Sequence, residues 1–560
     1  MIRILDTRLS RFELRTRLPF RYGIATMTEV PHVFLRATCE IEGRAHDGVA
    51  ADHLPPKWFT KDPARDLGEE IEEMLRVIRQ AMAAAVEVRA ATLFAFWREL
   101  HAAQCAWGRA ANLPPLLVHF GTSLVERALL DAFARAHATP LHRLVRANAL
   151  GMDLAEFHSE LAGSAPAEWL PAAPLARVTV RHTVGLSDPL EAGDLARGER
   201  IEDGLPQTLD ACIRVYGLRH FKIKIGGRPE DIDRLERIFA LLVRCAPRDF
   251  AFSLDGNESF RSAAAFREFW ATLAARPALA GMGRHLLFVE QPLHRDVALD
   301  GAAGDWRAWA DRPAIIIDES DAETGSLRRA LEIGYAGTSH KNCKGVFKGI
   351  ANACRMAQLR RANPAARGVM SGEDLSNIGP VALLQDLAVQ ALLGIGSVER
   401  NGHHYFAGLS FWPERIQRAA MAQHPDLYVR GDAGWARLDV RDGGLTLESV
   451  NAAPFGVAFL SDGESVRRWA EDGAAAPHGG RLTEATRRKT EDGGRGRAVR
   501  VWSRELRDRS FGGGWSEGSS LLLKDKWRPM SVSGLCKRSC INPTGTSGST
   551  AAVSAFSRKL

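Results

Sequence analysis

Six side chains carry most of the chemistry legible in this chain. Lys222 and Lys224 stand two apart in Phe221-Lys-Ile-Lys-Ile225, and Asp255, Glu290, Asp318 and Lys341 follow at steps of 31, 35, 28 and 23 residues. The three acids each close a short apolar run: Phe252-Ser-Leu-Asp255, Leu287-Phe-Val-Glu290 and Ile315-Ile-Ile-Asp318. One acid after an apolar strand commonly caps a helix, but three in succession at a repeat period point to a shared task. Carboxylates brought into contact cannot all stay ionised without a cation. An all-oxygen set is hard, which suits Mg²⁺, with Mn²⁺ as the alternative. Lys222 and Lys224 share one strand face, where crowding and desolvation would lower an ammonium pKa toward that of a working base. Lys341, from across the sheet, would reach the same substrate carbon from the other side. Together these groups suit removal of a proton α to a carboxylate through a metal-stabilised enolate.

Such residues need a scaffold that presents strand ends on one rim. From about residue 176, short β-branched or aromatic runs (Arg177–Arg181, Phe221–Ile225, Phe250–Leu254, Leu286–Val289, Ala314–Ile317, then near Gly337 and Gly368) alternate with amphipathic stretches at Pro229–Cys245, Ser262–Ala275, Ser326–Ile333 and Phe347–Ala362. Alternation of this kind makes βαβ units, and about seven repeats favour closure into a (β/α) barrel, with function at the C-terminal strand ends. Ahead of it, residues 1–60 read as strands with a turn at Glu42-Gly43-Arg44, followed by helices from about Asp66 and over Ser123–Ala138. Trp435-Ala-Arg-Leu-Asp-Val-Arg-Asp-Gly-Gly-Leu445 predicts a hairpin. The expected organisation is an α+β capping domain over 1–150, the barrel over 151–432, a return to the cap over 433–470, and a disordered basic tail rich in Gly, Ser and Arg over 471–560.

The net charge of +7 belongs to that tail. Residues 471–560 hold 17 Lys and Arg against 9 Asp and Glu, leaving 57 against 58 in the first 470. A neutral body argues against nucleic acid as a partner. No apolar run approaches the roughly 20 residues of a membrane span, and the N-terminus lacks the apolar stretch of a secretory signal, so a cytoplasmic protein with no membrane partner is expected. None of the eight cysteines forms CxxC, and no pair of them sits near a His pair at zinc-like spacing.

In order, Lys222-Ile-Lys224, Asp255-Gly-Asn257, Glu290-Gln-Pro292, Asp318-Glu-Ser320 and His340-Lys341-Asn-Cys-Lys344-Gly resemble the base and metal motifs of the enolase superfamily, in its mandelate racemase/muconate lactonizing enzyme branch. Ala128-Leu-Leu-Asp131 with Pro140-Leu141 is similar to that family's helix between cap and barrel. The resemblance spans roughly residues 1–460. It implies Lys224 as base, Lys222 as its support, Lys341 as opposing acid/base, and Asp255, Glu290 and Asp318 as Mg²⁺ ligands. Lysine at both base positions resembles the muconate-lactonizing subgroup. The seventh-strand carboxylate is open between Glu373 and Asp374. The cap loops of that family select substrate, which makes Arg21, Thr26, His53 and Lys57 candidates, with Glu373 as a further substrate contact. His403 and His404 carry no expected catalytic role.

The expected activity is that of an isomerase on a small carboxylate, by racemisation or epimerisation. Cycloisomerisation, or a lyase reaction eliminating water, would need only a different leaving group in the same site. A lysine Schiff-base aldolase or a non-catalytic binding barrel are the competing classes. A homo-oligomer is expected.

Overall fold

The computed structural model describes residues 1–364 and 368–459; the expected tail over 471–560 lies outside the described residues. The chain opens with a three-stranded antiparallel meander, β1 (Ile2–Tyr22), β2 (Ala25–Ile41) and β3 (Arg44–His53). Glu42 and Gly43 both take positive φ, the geometry that lets a two-residue turn follow the twist of paired strands. The long β1–β2 hairpin is tipped by the Tyr22↔Ala25 pair. Three helices cover the sheet: α1 (Leu67–Glu87), capped by Asp66 through Gly68 N, α2 (Leu93–Ala110), capped by Thr92, and α3 (Pro115–Ala136). The helix predicted over Ser123–Ala138 starts eight residues earlier, because Pro115 supplies a preformed first turn.

Helix α3 is buried along nearly its whole length, which a period-3.6 stripe does not announce. It packs on β2, β3, α1, α2 and the segment Asn342–Lys344 that follows a barrel strand. The approach to β3 is close: a Cβ at Gly48 would stand 2.1 Å from Ala128 O. Arg127, buried on α3, pairs with Asp52 at 2.7 Å, so the helix is fixed to β3 by charge as well as by shape.

The second sheet is an eight-stranded parallel barrel. Its strands are β4 (Arg177–Val184), β5 (His220–Lys224), β6 (Ala251–Asp255), β7 (Leu286–Glu290), β8 (Ile315–Ile317), β9 (Gly337–His340), β10 (Val369–Gly372) and β11 (Ser397–Arg400). Each pairs with the next, and β11 returns to β4. Intervening helices include Pro229–Cys245, Ala263–Ala274 and Val346–Ala362, so the barrel expected from alternation is present, with Ser397–Arg400 as its closing strand. The predicted Trp435–Leu445 hairpin does not form. Instead β12 (Tyr428–Arg430) pairs with β13 (Ala436–Leu438), and β14 (Gly444–Thr446) adds to β4. Asp442 and Gly443 turn the chain through positive φ, and Leu445 is then buried against the barrel, which a free hairpin would leave exposed.

Candidate active site

Register brings the charged strand ends into one layer. Lys224 is paired with Asp255, and Asp255 with Glu290, across β5, β6 and β7. Lys222, one pleat below, turns its Nζ to the barrel axis. It lies 2.8 Å from Glu290 Oε1, Glu373 Oε2 and Glu399 Oε2, and 3.0 Å from Asp255 Oδ2. Lys224 Nζ donates to Asp255 Oδ2 at 2.5 Å. Opposite, Lys341 Nζ reaches Asp318 Oδ2 at 2.5 Å and Glu373 Oε2 at 2.8 Å. Lys344 holds Asp318 Oδ1 at 3.1 Å, and Arg181 holds Glu373 Oε1 at 3.1 Å. All of these side chains are buried.

The Lys222 pKa runs against the expectation from sequence. Burial works to lower Lys222, but Asp255, Glu290, Glu373 and Glu399 raise it well above the usual lysine range. For Lys341, Asp318 and Glu373 likewise outweigh burial. Crowding of like charges was the reason to expect lowering; each ammonium instead meets more carboxylate than lysine. The acids divide. Burial, with Asp255 and Glu373 close by, pushes Glu290 well up, whereas Lys341 and Lys344 overcome burial to hold Asp318 down.

Oxygens of Glu290, Asp318 and Glu373 all lie within 4.8 Å of one another. Glu290 Oε2 is buried with no hydrogen-bond partner among the described residues. A carboxyl forced up among carboxylates, with one oxygen unsatisfied, fits a hard divalent cation. Asp255 lies one lysine away from this group, its Oδ2 facing Lys222 and Lys224. The two seventh-strand acids divide in space: Glu373 points inward to Lys222 and Lys341, whereas Asp374 pairs with Arg400 and lines the cavity above.

A cavity of about 470 Å³ stands over this layer, with Lys222, Lys224, Asp255, Asp318, Lys341 and Glu399 in its floor. Phe20, Tyr22 and Met27 of the β1–β2 hairpin and Trp58 of the following loop form its roof. The Trp58 ring lies 5.2 Å from Lys341 Nζ, within cation–π range. Arg21 and Thr26 are elsewhere: they are exposed and paired with each other across the hairpin, on the face opposite Phe20, Tyr22 and Met27. Strand alternation imposes this, since only every second residue can face the cavity. His53 is buried behind the wall, its Nδ1 3.1 Å from Leu375 O. Lys57 fastens its own loop to Glu70, Asp62 O and Arg65 O. His403 and His404 pack with His182 outside the cavity.

Several residues of the site escaped the sequence reading. Glu399 is the third residue of the four-residue strand β11, too short to show a period; its signal is an acid after Ser-Val, 26 residues beyond Glu373. The roof residues have no spacing signal, because they come from a hairpin tip and a loop.

No protein-family model matches the chain, and no curated protein matches it. Among solved structures, it is similar to an enolase from Bradyrhizobium complexed with magnesium and mandelic acid, at 16% identity and a TM-score of 0.50, over 85% of this chain and 98% of that one. At this identity the likeness is one of fold: the capped eight-stranded barrel is shared with that structure. A muconate lactonizing enzyme from Pseudomonas fluorescens also matches, at 18% identity and a TM-score of 0.48 over 80% of this chain and 94% of that one. A dipeptide epimerase from Enterococcus faecalis matches at 14% and 0.48, over 72% and 92%. Among the described residues no helix is long and apolar enough to cross a membrane.

Proposed function

We propose that the chain is an isomerase of the enolase-superfamily type, which removes and returns the proton α to the carboxylate of a small substrate. One observation carries this: Lys224 on β5 and Lys341 after β9 come from opposite sides of an eight-stranded barrel and line the same cavity. A carbon held between them would meet a base on each face. Racemisation or epimerisation needs nothing further. Cycloisomerisation or loss of water would use the same first step. Lysine at both positions favours the muconate-lactonizing subgroup.

Asp255, Glu290 and Asp318 would hold the divalent cation, with Glu373 beside them. Magnesium or manganese there would polarise the substrate carboxylate and stabilise the charge that develops on it. The protein's own part is to govern the lysine protons. Lys341 is kept charged by Asp318 and Glu373, and Lys222 by its four acids. Lys341 becomes a base only when those carboxylates turn to another positive charge. Lys222, enclosed by acids and farthest from the roof, orients Asp255 and Glu290, while Lys224 has a single acid partner in the salt bridges it makes and is the better placed base. The aromatic roof excludes water from the exchanging proton.

The deciding experiment screens N-acylamino acids, dipeptides, sugar acids and aromatic carboxylates for α-proton exchange in deuterated solvent with Mg²⁺. Exchange that disappears for one enantiomer in Lys224→Ala, and for the other in Lys341→Ala, supports the proposal. Borohydride trapping of a lysine adduct, without metal dependence, would replace it with Schiff-base chemistry.

A further inference from the structure

Away from the barrel mouth, three ligand-type side chains converge between α2 and α3. His101 and Cys105 are one helical turn apart on α2 and so share a face, and His119 faces them from α3. Cys105 Sγ lies 3.7 Å from His101 Nδ1 and 3.6 Å from His119 Nε2. Tetrahedral zinc, with bonds of about 2.3 Å to sulfur and about 2.05 Å to nitrogen, sets the sulfur–nitrogen edge at about 3.6 Å. No linear metal motif marks this group, because the second histidine comes from another helix.

We propose that His101, Cys105 and His119 form a second metal site, for a borderline-soft divalent cation of the zinc class, clasping α2 to α3. The site is chemically distinct from the all-oxygen cluster, because thiolate and imidazole select zinc-like ions over magnesium. Each imidazole can offer a ring-nitrogen lone pair to the metal, and the cysteine a thiolate. The imidazoles lie face to face, 4.3 Å apart and 2° from parallel. Chelation therefore requires one ring to turn about its Cβ–Cγ bond until both nitrogens aim at one point.

A groove of about 280 Å³ runs past His101 and His119, so a fourth position is open to water. Thr122 Oγ1 and His119 Nδ1, both buried and without hydrogen-bond partners among the described residues, lie beside that groove or within its lining ring. A comparable trio, His182, Cys212 and His404, is wholly buried. There His182 Nδ1 is already engaged with His403 Nε2 at 3.1 Å, which makes it the control rather than the site.

The test is a Co²⁺ titration of the chelator-stripped full chain with Mg²⁺ saturating. One equivalent should produce a near-ultraviolet thiolate-to-cobalt charge-transfer band, which an oxygen-ligand site cannot give. Cys105→Ser should abolish the band, Cys212→Ser should leave it, and His101→Gln, at a half-buried position, should weaken Zn²⁺ binding at least tenfold in competition with a chromophoric chelator. Circular dichroism establishes that each variant is folded. Absence of the band in the parent, or its survival in folded Cys105→Ser, overturns the proposal.

Discussion

Glu373 Oε2 lies 2.8 Å from Lys341 Nζ, and the same oxygen lies 2.8 Å from Lys222 Nζ. One carboxylate thus joins the two sides of the barrel. Glu373→Gln should release both lysines, lowering the pH at which the base limb of the exchange rate appears. The pH dependence of α-deuterium exchange checks this; an unchanged limb would remove Glu373 from any control of the lysines.

The two lysines should be separable by stereochemistry. Lys341→Ala should slow exchange of one enantiomer's α-proton by a factor on the order of 10² or more, the range of a positioned acid or base, and spare the other. Lys224→Ala should show the reverse preference. Equal losses in both variants would sink the two-base arrangement.

Metal binding can be followed without turnover. Asp255→Asn, Glu290→Gln and Asp318→Asn should each weaken Mn²⁺ binding at least tenfold, read from the free-Mn²⁺ resonance signal, while Glu373→Gln should retain it. Retention in Asp255→Asn with loss in Glu373→Gln would move the third ligand to the seventh strand.

Glu126 offers a test of stability. It is buried on α3, accepts from Phe347 N at 2.7 Å, and leaves Oε2 without a partner among the described residues. Burial raises it to about 7 from an ordinary 4.5. The folded state therefore binds the proton more tightly than the unfolded state, and stability falls as pH rises from about 4.5 to about 7. By linkage the full effect is on the order of 3 kcal/mol. Glu126→Gln should flatten this slope and raise the melting temperature at pH 8 more than at pH 5. An equal shift at both pH values would contradict it.

Gly48→Ala should destabilise the cap. Its Cβ would meet Ala128 O at 2.1 Å and Ala132 N at 2.4 Å, both on helix backbone that cannot move aside cheaply. A loss of about 3 kcal/mol is expected, at the upper end of overpacking, measured by denaturant unfolding. A neutral result would mean that α3 and β3 are less tightly joined than their geometry implies.

The barrel was legible because short apolar strands alternate with amphipathic helices, and three of those strands run into acids that their apolar runs do not explain. Asp255, Glu290 and Asp318 announce themselves in this way. The cavity roof was not, since Phe20, Met27 and Trp58 read as ordinary apolar residues until the hairpin is folded over the barrel. Arg21 and Thr26 looked more chemical and face the wrong way, an error of one residue that strand alternation turns into an error of face. The direction of the lysine shifts needed a count of neighbours that a linear chain does not supply. Likewise, His119 joins Cys105 only through the α2–α3 turn.

The roof is drawn from residues 20–58 and the floor from residues 222–401. Altering the upper surface by mutation leaves every lysine and acid of the floor in its original stretch of polypeptide. Laboratory evolution toward new molecules can therefore randomise Phe20 and Met27 together and spare Trp58, whose ring touches the Lys341 ammonium, so that the charged floor stays constant while taste for the guest drifts.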